Sequence, residues 1–341
     1  MGKRSRKKKE SILFKLANAC FTLVLAAIMA YGLQCYSATT PNSNFIDNIF
    51  QNKSNTVKFA QISDVHFYTG DDNTTYKMRA ESDKLLDDAV EQVNETAGLD
   101  FVMFTGDQID KSFEKELRAF LPHAQNLKYP WYITFGNHDT CIGGYLTPEV
   151  YLDMVNKANP DFAFKKPYYS FVPKKGFKVI VLDTIIRDRL TSNGFINDEQ
   201  LKWLKTELDN SEKDTVLIFM HVPVIEPFAS AGHRLLNANE VRTIIETHKN
   251  PIAVFQGHYH AAMIKQFDNV LYVSTPSLVS YPNAFRMISV SNHRKKVVVN
   301  IEFKETRLKN IQKLAKIMVF ASKLYAGEEQ DHSGTFEIVK N

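Results

Sequence analysis

The sequence predicts an α/β fold in which two β-sheets pack face to face and helices cover their outer sides. Two observations carry this prediction. From Val57 onward, short apolar runs alternate with segments of helical periodicity, as strands joined by crossover helices do. After Val270, three further strand-like runs follow with no helix between them. A third observation concerns where the strands stop. Five of them end on Asp, Asn or His, and packing alone gives a buried strand no reason to end that way.

The chain opens on a basic run. Seven Lys or Arg residues face only Glu10 in the first fifteen positions, a local charge of +6 within a total of +4. The remainder therefore carries −2, which leaves no basic surface to track a nucleic acid backbone and makes nucleic acid an unexpected partner. Residues 16–33 are eighteen positions free of charge, close to the ~20 needed to span a bilayer. Residues 1–15 then read as a cytoplasmic flank and 16–37 as a signal anchor, with everything after them outside the cytoplasm. The competing reading is a signal peptide cleaved after Gly32 or Ser37, giving a secreted or periplasmic product. Residues 38–55 are polar and read as a linker.

The folded part is expected over 56–305. Helical periodicity marks 77–95, 111–126 and 147–157, then a segment capped by Asn197 or Asp198 and running to 209, and another from Asn237 or Asn239 to 248. Runs at 168–172 and 178–183, joined by Pro173-Lys174-Lys175-Gly176, read as a hairpin. The late strands are 270–275, 287–290 and 296–303. Residues 306–326 hold an amphipathic helix, with Ile311, Leu314, Met318 and Leu324 on one side and lysines elsewhere. It suits either a membrane surface or the flank of the domain, and the flank is the simpler expectation. Residues 327–341 read as a disordered tail. Three cysteines, two of them near the first apolar run, give no disulfide framework; Cys141 reads as a small packing residue.

The strand endings supply the chemistry. They are Asp64-Val65-His66, Gly106-Asp107 with Asp110 beyond, Gly136-Asn137-His138-Asp139, His221, and Gly257-His258-Tyr259-His260. Five of the ten histidines fall within this set. Carboxylate, amide and imidazole groups are ligands for hard or borderline divalent ions. The C-terminal mouth of parallel strands is also where ligands of such folds sit. Singly, each piece has a plain explanation, such as a turn or a hydrogen-bonded core histidine. Five together call for a shared site. Asp139 fits loop capping as well as chemistry, and His233 with Arg234 reads as a surface loop.

In these motifs and their order, 57–303 resembles the calcineurin-like metallophosphoesterase superfamily, and its cyclic-nucleotide phosphodiesterase members most in motif order. The resemblance implies a four-layer α/β sandwich and two divalent metal ions (Mn, Fe or Zn). It implies that Asp64, His66, Asp107 and His260 hold one ion and that Asn137, His221 and His258 hold the other, with Asp107 bridging. It places His138 beside the metals as general acid, oriented by Asp110, with a metal-bridging hydroxide as nucleophile. A small phosphate ester is then the expected substrate, monoester or diester. Two departures matter. Purple acid phosphatases carry a tyrosine three residues after the bridging aspartate, where this chain has Asp110. Many of the cyclic-nucleotide enzymes carry a paired histidine where this chain has Met220-His221. The contrasting class is a binding module that kept the fold and lost catalysis, which is expected to have lost ligands that this sequence retains.

Overall fold

The computed structural model describes residues 55–250 and 252–340. The expected basic flank, apolar segment and most of the linker lie outside these residues. Among the described residues no helix is long and apolar enough to cross a membrane.

Twelve strands form two mixed six-stranded sheets. The first contains β1 (Asn55–Ile62), β2 (Phe101–Thr105), β3 (Trp131–Thr134), β10 (Ala284–Asn292), β11 (Lys296–Glu305) and β12 (Gly334–Val339), in the order β12-β11-β10-β1-β2-β3. The second contains β4 (Tyr169–Phe171), β5 (Phe177–Val181), β6 (Thr215–Phe219), β7 (Ile252–Gln256), β8 (Met263–Phe267) and β9 (Val270–Ser274), in the order β4-β5-β6-β7-β9-β8. β1, β2 and β3 run parallel to one another, and so do β5, β6, β7 and β9. The predicted hairpin is present as the antiparallel β4–β5 pair.

Every residue of β2, β6, β7 and β9 is buried, as strands covered on both faces must be. Aromatic rings fill the seam between the sheets. The Phe59 ring on β1 lies 5.1 Å from Phe255 on β7 and 5.4 Å from Phe219 on β6, both edge to face. Nearer the strand ends the seam turns polar. There the Gln61 amide donates to the Gln256 carbonyl and its oxygen accepts from Thr275 Oγ1.

The helices are α1 (Ser82–Glu95), α2 (Glu114–Gln125), α3 (Asn137–Thr140), α4 (Pro148–Ala158), α5 (Asp198–Asp209), α6 (Ala238–Thr247), α7 (Lys309–Met318) and α8 (Ser322–Ala326). Asn197 caps α5 and Thr147 caps α4 through side-chain hydrogen bonds. The first helix begins later than expected. Residues 77–81 form a loop and a 3-10 turn before α1, because Lys77 and Arg79 are pulled toward Asp110.

Two expectations at the C-terminus are overturned. The single helix over 306–326 is broken after Met318, where Val319 is buried and extended and the Phe320 amide donates to the Thr75 carbonyl. The tail is also ordered. β12 pairs with β11 along Gly334–Val339, and Ile338, fully buried, lies opposite Val297. The buried guanidinium of Arg286 fixes the approach to this strand by donating to the carbonyls of Asp331, His332 and Ser274 at 2.5–3.0 Å.

Candidate metal centre

Five parallel strands end on the same side of the molecule and deliver their polar residues into one cleft. Asp64 and His66 follow β1, Asp107 follows β2, and Asn137 and His138 follow β3. From the other sheet, His221 follows β6, and His258 and His260 follow β7. The backbone there is forced. Asp64, His66, Asp107, His258 and His260 all adopt φ between 43° and 71°. This left-handed region costs a non-glycine residue roughly 1–2 kcal/mol, and such strain concentrates where function over-determines the geometry.

Two glycines permit the approach. A Cβ on Gly106, at φ +87°, would lie 2.2 Å from His221 Nδ1, and one on Gly257 would lie 2.2 Å from Ser63 Oγ.

The donor atoms fall into two groups that share one oxygen. His66 Nε2 lies 3.1 Å from His260 Nε2 and 3.5 Å from Asp107 Oδ2, and His260 Nε2 lies 3.5 Å from Asp64 Oδ1. On the other side, His221 Nε2 lies 3.4 Å from the same Asp107 Oδ2 and 3.1 Å from His258 Nδ1. Ligands held about 2.1 Å from one cation are separated by roughly 3.0 Å in an octahedron and roughly 3.4 Å in a tetrahedron. The observed edges therefore match the spacing of a coordination shell. Asp107 Oδ1 is taken by the His138 amide at 2.8 Å, which leaves Oδ2 to face both groups.

Outer partners set the imidazole tautomers. His221 Nδ1 donates to the Thr105 carbonyl at 2.8 Å, and His260 Nδ1 donates to Ser280 Oγ at 2.8 Å, so each presents Nε2 to the cluster. Asp64 accepts from Ser63 Oγ and the His258 amide. Asn137 Oδ1 is buried with no hydrogen-bond partner among the described residues. An orphaned amide oxygen beside a carboxylate–imidazole cluster fits a cation, which would accept its lone pair.

Electrostatics favour the neutral state of three of the imidazoles and the protonated state of the fourth. Burial, reinforced by a neighbouring cation, pulls the His66 imidazole down to about 3, with Lys77 the main charge. Burial likewise holds His258 and His260 well below the usual range, with charge on His221 and on Lys77 respectively adding to it. All three are therefore neutral with a free lone pair. Burial pushes Asp64 up to about 7 and Asp139 up to about 8, the Asp107 charge adding to both. Burial also penalises charge on His221, but Asp107 outweighs it and raises the imidazole to about 9. Asp64 and His221 would release their protons on taking up a divalent cation.

All the predicted site residues lie at or beside this cleft. Asp110 meets His138 through its main-chain carbonyl, 2.6 Å from His138 Nδ1, and not through its carboxylate. Its carboxylate is occupied by Lys77, by Arg79 at 2.8 Å and by His66 at 3.3 Å. Burial first, then Lys77, pushes His138 below its usual pKa, although Asp107 and Asp110 act in the opposite direction. Asp139 is a loop clamp, accepting from the amides of Gly136 and Ile109. Cys141 lies outside the cluster, packed against the core.

Sequence reasoning missed Lys77, placed by a loop, and the aromatic wall of Tyr76, Phe228, Tyr259 and Tyr325. These residues and His233 line the cleft, whose volume is about 430 Å³. Only His233 carried a signal, as a histidine shortly after the His221 strand. The structure sets its ring 5.4 Å from His258 at the exposed rim.

Residues 57–262 match the model of the calcineurin-like phosphoesterase family. The chain belongs to that family. Among curated relatives, a probable cyclic nucleotide phosphodiesterase of Fibrobacter succinogenes is 26% identical over 231 residues, which are 65% of this chain and 79% of that one. Tartrate-resistant acid phosphatase type 5 of Mus musculus is 25% identical over 200 residues, covering 51% and 59%. Among solved structures, a dimetal phosphatase from Danio rerio superposes with a TM-score of 0.57 at 17% identity, over 71% of this chain and 95% of that one. That likeness is one of fold. This calcineurin-like phosphoesterase is a metal-dependent hydrolase of phosphoric ester bonds.

Proposed function

We propose that this phosphoesterase works with two divalent cations, of the Mn, Fe or Zn type, bridged by Asp107. The observation that carries the reading is Asp107 Oδ2, which lies 3.5 Å from His66 Nε2 and 3.4 Å from His221 Nε2 and so belongs to both ligand groups. Asp64, His66 and His260 would complete one set, and Asn137, His221 and His258 the other. When bound, such a pair of cations acidifies water and steadies the charge on the attacking and leaving oxygens of an in-line displacement.

The remaining steps fall to side chains. His138 stands next to the cluster, its ring centroid 4.6 Å from that of His66. Its Nδ1 is fixed on the Asp110 carbonyl, so a proton for the leaving alkoxide has to come from Nε2. Lys77 neutralises the Asp110 carboxylate, so the anionic phosphoryl group itself supplies the countercharge that favours a protonated His138.

A phosphodiester carrying a flat group, such as a cyclic nucleotide, suits the cleft better than a bare monoester. Tyr76, Phe228, Tyr259 and Tyr325 offer ring faces within reach of the phosphoryl position. We infer also that residues 1–37 hold the enzyme at a membrane with the catalytic domain outside the cytoplasm, a reading supported by the basic run and the uncharged stretch that follows it.

The test is hydrolysis by the purified full chain of p-nitrophenyl phosphate, bis(p-nitrophenyl) phosphate and 3',5'-cyclic nucleotides, with added manganese or with chelator. Turnover of the diesters that is lost on chelation supports the reading. No turnover of any ester with manganese, iron or zinc would sink it. Protease access to the domain on sealed cells checks the location.

A further inference from the structure

We propose that α7 and the turn after it form a docking face for an anionic lipid surface, set beside the mouth of the catalytic cleft. The helix packs Ile311 on the core but leaves much of its other apolar content exposed. Ala315 and Val319 face the domain, whereas Ile317 is 83% and Phe320 88% exposed, and Leu314 and Leu324 are each more than 40% exposed. Leu314 and Ile317, three residues apart, share one face of the helix, and Phe320 is exposed in the turn just beyond its end. A soluble domain with no partner for such a stripe gains nothing by presenting it.

The charges around the stripe select its partner. Residues 306–327 contain five Lys or Arg residues and no Asp or Glu. Arg307 and Lys309 pair with glutamates of the domain, while Lys313, Lys316 and Lys323 make no ion pair among the described residues. Lysines bordering an apolar and aromatic stripe are the pattern of helices that lie in a bilayer interface, and each basic residue there adds attraction to anionic headgroups. A protein partner is a poorer match, because protein interfaces are depleted in lysine. A second copy of this face would bring like charges together.

The position of the stripe gives the docking a consequence. The amide of Phe320 is bonded to Thr75, next to the cleft residue Tyr76, and the ring of Tyr325 lies 5.7 Å from that of His260. A lipid surface on α7 therefore adjoins the mouth of the cleft. This inference needs neither the dinuclear reading nor the substrate proposed above.

The experiment places a reporter on the stripe. Full chain carrying Phe320→Trp is reconstituted in vesicles of phosphatidylcholine alone or with phosphatidylserine, in each case with bromine-labelled acyl chains. The reporter is at α7, so attachment through the N-terminus does not by itself quench it. The expected result is several-fold stronger quenching of the added tryptophan, over the Phe320 parent, in the anionic vesicles. High salt and the combined Lys313→Gln, Lys316→Gln and Lys323→Gln substitutions should return it to the neutral level. These changes are on the surface, so melting temperature and hydrolysis of a soluble ester should be unchanged. Equal quenching in both vesicles, or none in either, overturns the proposal. So does a blue shift that grows with protein concentration without vesicles, which would assign the face to a second copy.

Discussion

His138 Nδ1 lies 2.6 Å from the main-chain oxygen of Asp110, while the carboxylate of the same residue is turned to Lys77, Arg79 and His66. One residue thus fixes His138, the proposed proton donor, with its backbone and His66, a proposed metal ligand, with its side chain. His138→Ala should lower kcat by about 10²–10⁴-fold with metal content near normal. Asp110→Asn keeps the carbonyl and should cost much less in kcat, with its larger effect on metal affinity through His66. Steady-state kinetics beside metal analysis separate the two, and equal losses of kcat would show that the carboxylate acts on His138 after all.

Asp107→Asn removes the carboxylate charge shared by the two donor groups, and with it the bridge proposed between two cations. Bound metal per chain, measured by plasma emission, should fall below half of the wild-type value, and activity should fall to background. A chelator should abolish wild-type activity and manganese should restore it. A variant that kept full metal would refute the bridging role.

Gly257→Ala forces a methyl group to 2.2 Å from Ser63 Oγ and 2.7 Å from Asp64 Oδ2. Asp64 must then move, so a weaker metal Kd is expected, with the loss of activity partly recovered at high metal concentration. Calorimetric titration with manganese gives the number directly.

The C-terminal strand should be a structural part of the domain. Ile338→Ala, at a fully buried position, is expected to cost about 2–5 kcal/mol and to lower Tm by several degrees in a thermal melt. Deleting residues 334–341 should cost more, because it also uncovers β11. An unchanged Tm in both variants would show β12 to be dispensable.

The sequence disclosed the site more fully than its surroundings. Asp64, Asp107, Asn137, His221 and His258 were legible because each follows a strand by two or three residues, so local pattern alone fixes its end of the sheet. Lys77 and Tyr325 were not, since one arrives on an irregular loop and the other on a helix some 65 residues after His260. Periodicity is silent about both. β12 was missed although Phe336 and Ile338 alternate with polar residues, because six residues after a helix resemble a frayed end until a neighbouring strand is found for them. The break at Val319 was hidden for a related reason, since only the Thr75 carbonyl supplies a partner that makes leaving the helix favourable. The strands β10 and β11 were found, but shorter than they are.

The proposed ligands are divided between the two sheets, with Asp64, Asp107 and Asn137 on one and His221 and His258 on the other. Cations seated there would clasp the layers together at one end of the aromatic seam, so that neither could shear past the other without first releasing its ions. Unfolding should then become harder as metal is added, and amide exchange should slow at the open rim of the seam well before it slows at the distant strand ends.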